Sequence, residues 1–187
     1  MTDTPTFLQD AKDLLTEQGF TTSNTWYHGT SSALVDSIKE QGLRRSGDQA
    51  LKAAAKKTMA TIGNNYTEST EPVFLTQSKE LALYWAEQTV RNRSVRVEGN
   101  EQPVVVTVTL PEELNSQVKP DVGAASLLLV KEGENFMAYL AGIYQANGFG
   151  TPEIDLMKAS RIEYLNTLGM AYFNADIDAS YLDIITG

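Results

Sequence analysis

One short run of residues constrains the fold of this 187-residue chain more than any other. Residues 104–110 read Val-Val-Val-Thr-Val-Thr-Leu, and Pro111 ends the run. β-branched side chains pack well on a pleated sheet and lose freedom in a helix. The run therefore predicts a buried strand, which needs partner strands beside it and other elements to cover it.

The rest of the chain supplies such elements in alternation. Apolar residues recur at helical spacing in four segments, 7–18, 31–41, 78–90 and 125–145, with Gly133 as a break in the last. An alanine-rich stretch predicts a further helix at 50–62. Short extended segments are predicted at 25–28, 73–76 and 161–165. This order indicates the α+β class, with a helical N-terminal extension over residues 1–24.

Composition excludes several classes of protein. The length predicts a single domain over residues 1–187. The absence of cysteine and the presence of one histidine, His28, exclude disulfides, a cysteine nucleophile and a two-histidine metal site. No apolar run reaches the roughly 18–20 residues of a membrane span, and the N-terminus has no signal-peptide pattern. We therefore expect a cytoplasmic protein with no membrane partner and no metal.

The first group of residues that carries chemistry is Trp26-Tyr27-His28-Gly29-Thr30-Ser31. An imidazole at the end of a strand, followed by glycine and two hydroxyls, lies beside exposed backbone. Glycine would let a planar ligand lie against the main chain without a Cβ in the way. The alternative is a histidine at a strand end that bonds only to a loop.

The second group is aromatic, and the third is acidic. Phe74, Tyr84 and Trp85 could hold a heteroaromatic ring, although Trp85 shares the face of Leu81 and fits a core. Tyr84 lies off that face and is expected to line a cleft. Glu163 falls in the predicted strand at 161–165, where glutamate is unusual, and the alternative is an edge strand or a salt bridge with Arg161.

In sequence order these segments resemble the ADP-ribosyltransferase superfamily, in the branch with a His-Tyr-Glu triad that diphtheria-type toxins and poly(ADP-ribose) polymerases share. The resemblance covers about residues 26–166. Four segments carry it, which are Tyr27-His28-Gly29-Thr30, Val73-Phe74-Leu75-Thr76 with the helix after it, the valine-rich strand, and Ile162-Glu163-Tyr164-Leu165-Asn166. It implies a split core of mixed or antiparallel β-sheet with flanking helices.

The resemblance also implies a role for each matching residue. His28 would bond the adenosine-side ribose of NAD, with Thr30 on the same strand, and Gly29 would hold the nicotinamide carboxamide through its backbone. Phe74, in place of the usual tyrosine, and Tyr84 would stack on the ring, and the register leaves Trp85 as the alternative to Tyr84.

Glu163 would be the catalytic carboxylate. It would stabilise the oxocarbenium-like ribose that forms as nicotinamide leaves. Glu153 is the rival carboxylate, since it follows the loop at 147–152 where the family often recognises its acceptor. His28, Phe74, Tyr84 and Glu163 should then converge on one cleft.

The implied function is NAD-dependent mono-ADP-ribosyl transfer to a macromolecular acceptor, either protein or nucleic acid, with NAD as co-substrate. A bacterial or phage toxin, with a neutralising partner protein, is the setting that the family suggests. The alternatives are an NAD glycohydrolase, a related RNA 2′-phosphotransferase, and a non-catalytic NAD- or nucleotide-binding module.

The net charge and its distribution along the chain bear on whether the acceptor could be a nucleic acid. The net charge of −9 disfavours a general nucleic-acid binder, because phosphate contacts dominate that affinity. The acidic excess lies almost wholly in residues 101–187, whereas basic residues cluster at Lys39, Arg44, Arg45, Lys52, Lys56 and Lys57 and again at Arg91, Arg93 and Arg96. These could meet the NAD pyrophosphate or an acidic acceptor. The alternative is a solvated helix face.

Overall fold

The computed structural model describes residues 3–48 and 71–185, together with the single positions 53 and 57. The predicted helix at 50–62 therefore lies outside the described residues apart from those two positions, and so do Lys52 and Lys56. None of the helices in the described ranges is long and apolar enough to cross a membrane.

The described residues form short strands and helices of very unequal length. The strands are β1 (Leu15–Thr16), β2 (Gly19–Phe20), β3 (Thr25–Ser31), β4 (Val73–Leu75), β5 (Pro103–Thr109), β6 (Lys119–Pro120), β7 (Ala171–Phe173) and β8 (Leu182–Ile185). The α-helices are α1 (Ala11–Leu14), α2 (Val35–Gln41), α3 (Lys79–Ser94), α4 (Glu112–Asn115), α5 (Lys131–Ala146) and α6 (Arg161–Leu168). Four 3₁₀ segments complete them, Thr6–Leu8, Ser32–Leu34, Gly123–Leu129 and Ala179–Tyr181.

Two three-stranded antiparallel sheets make the core, in the orders β3-β5-β8 and β4-β7-β6. The valine-rich run forms β5, the middle strand of the first sheet, as its composition predicts. Val106 and Val108 on this strand are fully buried. The α+β class is thus confirmed, with antiparallel pairing throughout both sheets.

Two clusters of buried side chains hold these layers together. The first lies between the sheets, and it joins Trp26, Val106 and Val108 of the first sheet to Leu75 and Phe173 of the second. The second unites the helices with the β1–β2 hairpin, through Phe20, Leu81, Phe136, Leu140 and Leu168. Each such side chain contributes about 1.5–3 kcal/mol when it leaves water, so these clusters dominate the stability of the fold.

The N-terminal segment departs from the predicted helix at 7–18, which is wrong for most of its length. A 3₁₀ turn at Thr6–Leu8 and the single turn of α1 are helical there, and β1 and β2 follow as a hairpin. The cause is a tertiary contact at Asp10, whose carboxylate accepts the Lys79 N–H at 2.6 Å and the Ser78 hydroxyl at 2.7 Å. Asp10 thus caps α3, and Glu80 in return accepts the Ala11 N–H at 2.9 Å.

The segment at 161–165 is also helical, so the predicted strand is wrong. It forms the first turns of α6, where Ser160 and Glu163 make a reciprocal capping box. Gly169 ends the helix in the left-handed conformation at φ 69°. Tyr164, Leu165 and Leu168 are its buried residues, a spacing that fits a helix and not a strand.

The long helical region at 125–145 divides at Val130, between the 3₁₀ segment and α5, and not at Gly133 as predicted. Gly133 lies inside α5, where an added Cβ would stand 2.0 Å from the Leu127 carbonyl oxygen. The α3 helix runs to Ser94, beyond the predicted end at Val90, and Arg93 in its last turn is buried.

Helix α3 crosses the first sheet in close contact with β3. An added Cβ at Gly29 would stand 2.1 Å from the Ala82 carbonyl oxygen and 2.5 Å from the Ala86 nitrogen. The absent side chain therefore makes room for the helix and not for the plane of a ligand, which corrects the expectation for this glycine.

We predict that Gly29→Ala destabilises the fold by about 2–3 kcal/mol, because the backbones of β3 and α3 must move apart to admit the methyl group. Urea denaturation followed by circular dichroism measures the change. Gly142→Ala is the control, since nothing lies within 4 Å of its added Cβ and it stands inside α5. That control should gain about 0.5–1 kcal/mol, and an unchanged midpoint for Gly29→Ala would contradict the close packing.

Candidate functional site

Among the described residues, one backbone bridge joins the two sheets. Tyr27 of β3 donates its N–H to the Thr76 oxygen at 2.8 Å, and Thr76 donates its N–H to the Tyr27 oxygen at 2.9 Å. This bridge sets the His28 segment beside the Phe74 segment, although they are far apart in sequence. Beyond it, no described residue continues the ladder between β3 and β4. We call the opening between the two strands the β3–β4 split.

His28 lies at the split and contacts both strands. It belongs to β3, and its Nδ1 is 2.7 Å from the Phe74 oxygen of β4. A carbonyl oxygen only accepts, so Nδ1 carries the proton and donates it. Burial lowers the pKa of His28, and this outweighs the opposite effect of the bond to Phe74. A neutral ring therefore leaves Nε2 as a hydrogen-bond acceptor.

Gly29 contributes backbone to the same edge. Hydrogen-bonding direction alternates along an antiparallel strand, and Tyr27 directs its N–H and C=O towards β4. Gly29, two residues further, directs both groups to the same side, where no described residue pairs with them. One donor and one acceptor thus stand side by side at the split.

The aromatic residues separate into exposed and buried ones. Phe74 is 48% exposed, because β4 alternates buried, exposed and buried residues. Tyr172 of β7 lies directly opposite Phe74 in the register, at a separation where side chains on one face touch. Sequence reasoning missed Tyr172, since only the pairing of β4 with β7 reveals it.

The prediction that Tyr84 points away from the core and lines a cleft is wrong. Tyr84 is buried at 7% exposure and packs against Trp85, Phe136 and Tyr139, with ring centroids 5.1–5.3 Å apart. Trp85 is only partly buried. Tyr84 belongs to the same buried cluster as Leu81, and α5 covers this side of α3 through Phe136. Thr30, predicted to touch the ligand, is buried as well.

Glu163 belongs to α6 and makes no described contact with His28 or Phe74. Its Oε2 accepts the Ser160 N–H at 2.6 Å, and this bond holds the pKa of Glu163 below its usual range. Its side chain lines a cavity of about 630 Å³ together with Glu153 and the loop at 148–152. Neither His28 nor Phe74 lines that cavity. The structure therefore brings His28, Gly29 and Phe74 together, and it brings Glu153 and Glu163 together, but not the two groups.

Three of these basic residues, Arg44, Arg45 and Arg93, pair with carboxylates in the described part of the chain. Arg93 is buried and pairs with Glu101 at 2.7 Å and with Asp48, which raises its pKa further. Glu101 also accepts the Ser31 hydroxyl, so this cluster ties the end of β3 to the end of α3. Arg44 and Arg45 lie within 4.0 Å of Asp176. Arg93 is thus not available to a pyrophosphate, contrary to one expectation.

Comparisons of the chain with protein-family models, with curated proteins and with solved structures found no match. Within the described ranges, no three histidine, cysteine, aspartate or glutamate side chains stand close enough together to hold a metal ion.

We predict a pKa for His28 below the usual 6.5. The chain has one histidine, so its imidazole C2–H gives a single proton NMR signal that can be titrated. The unfolded state then binds the proton more tightly than the folded state. The contribution of neutral His28 to the free energy of unfolding is therefore fully present above about pH 6.5. It is lost as the pH falls from there through the folded-state pKa.

The same titration in concentrated urea supplies the reference, and its midpoint should lie near 6.5. A folded-state midpoint at or above the value in urea would contradict a neutral imidazole that donates from Nδ1.

Proposed function

We propose that this protein binds NAD in the β3–β4 split and transfers ADP-ribose to a macromolecular acceptor, with release of nicotinamide. The observation that carries the proposal is the bond from His28 Nδ1 to the Phe74 oxygen at the opening of the split. This bond joins the two segments that resemble the ADP-ribosyltransferase motifs. The resemblance rests on the order of the segments alone, so the contact is a separate observation that supports it.

The groups at the split suit the two ends of the dinucleotide. Nε2 of neutral His28 can accept a hydrogen bond from a ribose hydroxyl. A carboxamide presents one acceptor and two donors, which match the N–H and C=O of Gly29. Phe74 offers an exposed ring for stacking, and Trp85 is more accessible than Tyr84 as the second aromatic.

The transfer step requires the protein to stabilise positive charge on the ribose, and it requires no general acid for the leaving group. The bond between nicotinamide nitrogen and ribose breaks, and its electron pair stays on the nitrogen, so nicotinamide leaves as a neutral ring. The ribose develops positive charge until the acceptor nucleophile bonds to it and gives up its proton. An ionised carboxylate stabilises that charge. Glu163, held in place by its capping box, is the proposed carboxylate, and Glu153 in the same cavity is its rival.

A second candidate is a module that binds NAD or another nucleotide without turnover. The observation that favours it is the separation of the residues, because the cavity of Glu163 includes neither His28 nor Phe74. Binding at the split would then need no carboxylate at all.

Two measurements on the same samples distinguish these functions. Calorimetry measures NAD affinity, and chromatography measures nicotinamide released in the presence of cell lysate. We predict that His28→Ala weakens NAD binding about tenfold or more, as the loss of a buried hydrogen bond does. We expect Glu163→Gln to lower nicotinamide release about 100-fold with NAD affinity nearly unchanged.

Glu163→Gln is preferable to alanine because glutamine also completes a capping box. Glu113→Gln, an exposed carboxylate in α4, is the matched control. Label from NAD on protein or nucleic acid supports transfer and identifies the acceptor. Free ADP-ribose alone indicates a glycohydrolase, and binding without release indicates the module. Absence of NAD binding would refute all three.

A further inference from the structure

A row of three side chains crosses the second sheet from edge to edge. Phe74 of β4 lies directly opposite Tyr172 of β7, and Tyr172 lies directly opposite Lys119 of β6. Residues that are paired in this way project from the same face of a sheet. The three side chains therefore share one face, and we call them the Phe74–Tyr172–Lys119 row.

The row lies on the face that points away from the core. The adjacent positions on β4 and β7, such as Leu75 and Ala171, are buried between the two sheets. Since successive side chains of a strand point to opposite faces, the row occupies the outer one. Phe74 is 48% exposed, Tyr172 is partly exposed and Lys119 is exposed. Ring surface and a cation are thus open to a ligand on the same face.

The charge of Lys119 is available to a ligand. None of the ion pairs in the described part of the chain includes Lys119. The carboxylate nearest to it in sequence, Asp121, accepts the Ala124 N–H at 3.1 Å at the start of the 3₁₀ segment. The row therefore ends in a positive charge that an anionic group can approach.

Two rings followed by a cation favour one kind of ligand. Aromatic side chains on neighbouring strands of a sheet form a stacking platform for unpaired bases, because every base has a π-face. A lysine beside such a platform can bond a phosphate oxygen. Quaternary ammonium ligands also bind aromatic side chains, but Lys119 would repel them. The chemistry of the row thus matches a flat, anionic polymer.

We propose that the Phe74–Tyr172–Lys119 row binds single-stranded nucleic acid, with bases stacked on the rings and a phosphate bonded to Lys119. The row begins at the β3–β4 split, because the Phe74 oxygen accepts the proton of His28 Nδ1. The bound strand then lies beside the proposed NAD site and is the acceptor of the transfer. Only this acceptor role rests on the proposed function, since the strand itself binds without NAD.

The net charge of the chain determines the kind of binding to expect. A charge of −9 repels a polyanion at long range, and one lysine neutralises only about one phosphate. Stacking then supplies most of the affinity. The logarithm of the affinity should fall with the logarithm of salt concentration at a slope no steeper than about −0.7, the value for one phosphate of a single strand.

The binding test uses the full chain without NAD. Fluorescence anisotropy measures the affinity for a fluorescein-labelled strand of eight deoxyadenosines. An abasic strand of the same length and the duplex with the complementary strand are the controls, because both keep the phosphates but offer no unpaired bases. We predict saturable binding of the single strand alone.

Variants then assign the binding to the row. Tyr172→Leu should weaken it about tenfold through the loss of one stacked base, whereas Tyr172→Phe should retain it. Lys119→Gln should weaken it about threefold, as the loss of one exposed charge pair does. Lys12→Gln, an exposed lysine of α1, is the matched control. Urea denaturation checks that Tyr172→Leu is folded, and Lys119→Gln changes only an exposed side chain.

Each outcome of the binding test bears on the proposal. Binding that needs unpaired bases and weakens in both Tyr172→Leu and Lys119→Gln supports it. Equal binding of the abasic strand, no saturable binding, or unchanged affinity in both variants would overturn it. Tighter binding of a polyproline peptide, which aromatic surfaces also accept, would overturn it as well.

Labelled NAD tests the acceptor role separately. Label on the strand that decreases in Lys119→Gln, with NAD affinity unchanged, supports this role. Label on protein alone would contradict it. Failure of NAD binding would refute the proposed function and the acceptor role together, but it would leave the measured binding of the strand intact.

Discussion

In the described part of the chain, one backbone bridge, between Tyr27 and Thr76, sets the register between the two sheets that pack on each other. The first sheet carries β3 and the second carries β4, and the bridge joins them at one pair of residues only. The strands diverge beyond this pair, so backbone groups of β3 reach an open edge. An unpaired strand edge is costly to bury, and it is prone to pair with strands of other chains. Native proteins therefore keep such an edge where a ligand or another segment covers it. The split therefore follows directly from the shortness of the contact between the sheets.

Two contacts keep the edge of β3 in place. Gly29 allows the backbone of α3 to approach one face of the strand, and His28 ties the strand to Phe74. Asp10 accepts a backbone N–H at the start of α3, and Glu80 accepts one at the start of α1. Together these two bonds fix the N-terminus of α3 to the start of the chain. Burial raises the pKa of Asp10, which is the expected cost of a carboxylate that serves as a cap away from water. The N-terminal segment is thus part of the structure that orients α3.

Much of the core was predictable because its signals are local. The β-branched run in β5, the aromatic segment in β3 and the apolar spacing of α3 each specify their own element. The errors have a different origin. The pattern at 7–18 is helical by spacing, but Asp10 leaves the helix to cap α3, a contact that no local pattern contains. The exposure of Tyr84 depends on α5, and the position of Tyr172 depends on the register of β7.

The error at α6 is instructive because the local signals were present. Ile162 and Tyr164 alternate with charged residues, and this favoured a strand. Ser160 and Glu163 have the spacing of a capping box, and Gly169 is a common helix end, so both termini of the helix could be read from the sequence. Capping signals at both ends outweigh alternation over five residues, since alternation of that length also arises by chance.

The position of Glu163 narrows the chemistry that it can perform. A carboxylate whose oxygen accepts a backbone N–H at a helix start stays ionised, so it is poorly suited to donate a proton. Departure of neutral nicotinamide requires no proton from the enzyme, and a permanently charged carboxylate suffices to stabilise a cationic ribose. The capping box therefore supports the proposed role of Glu163 by holding its carboxylate in place, since an exposed glutamate is ionised at neutral pH even without a cap.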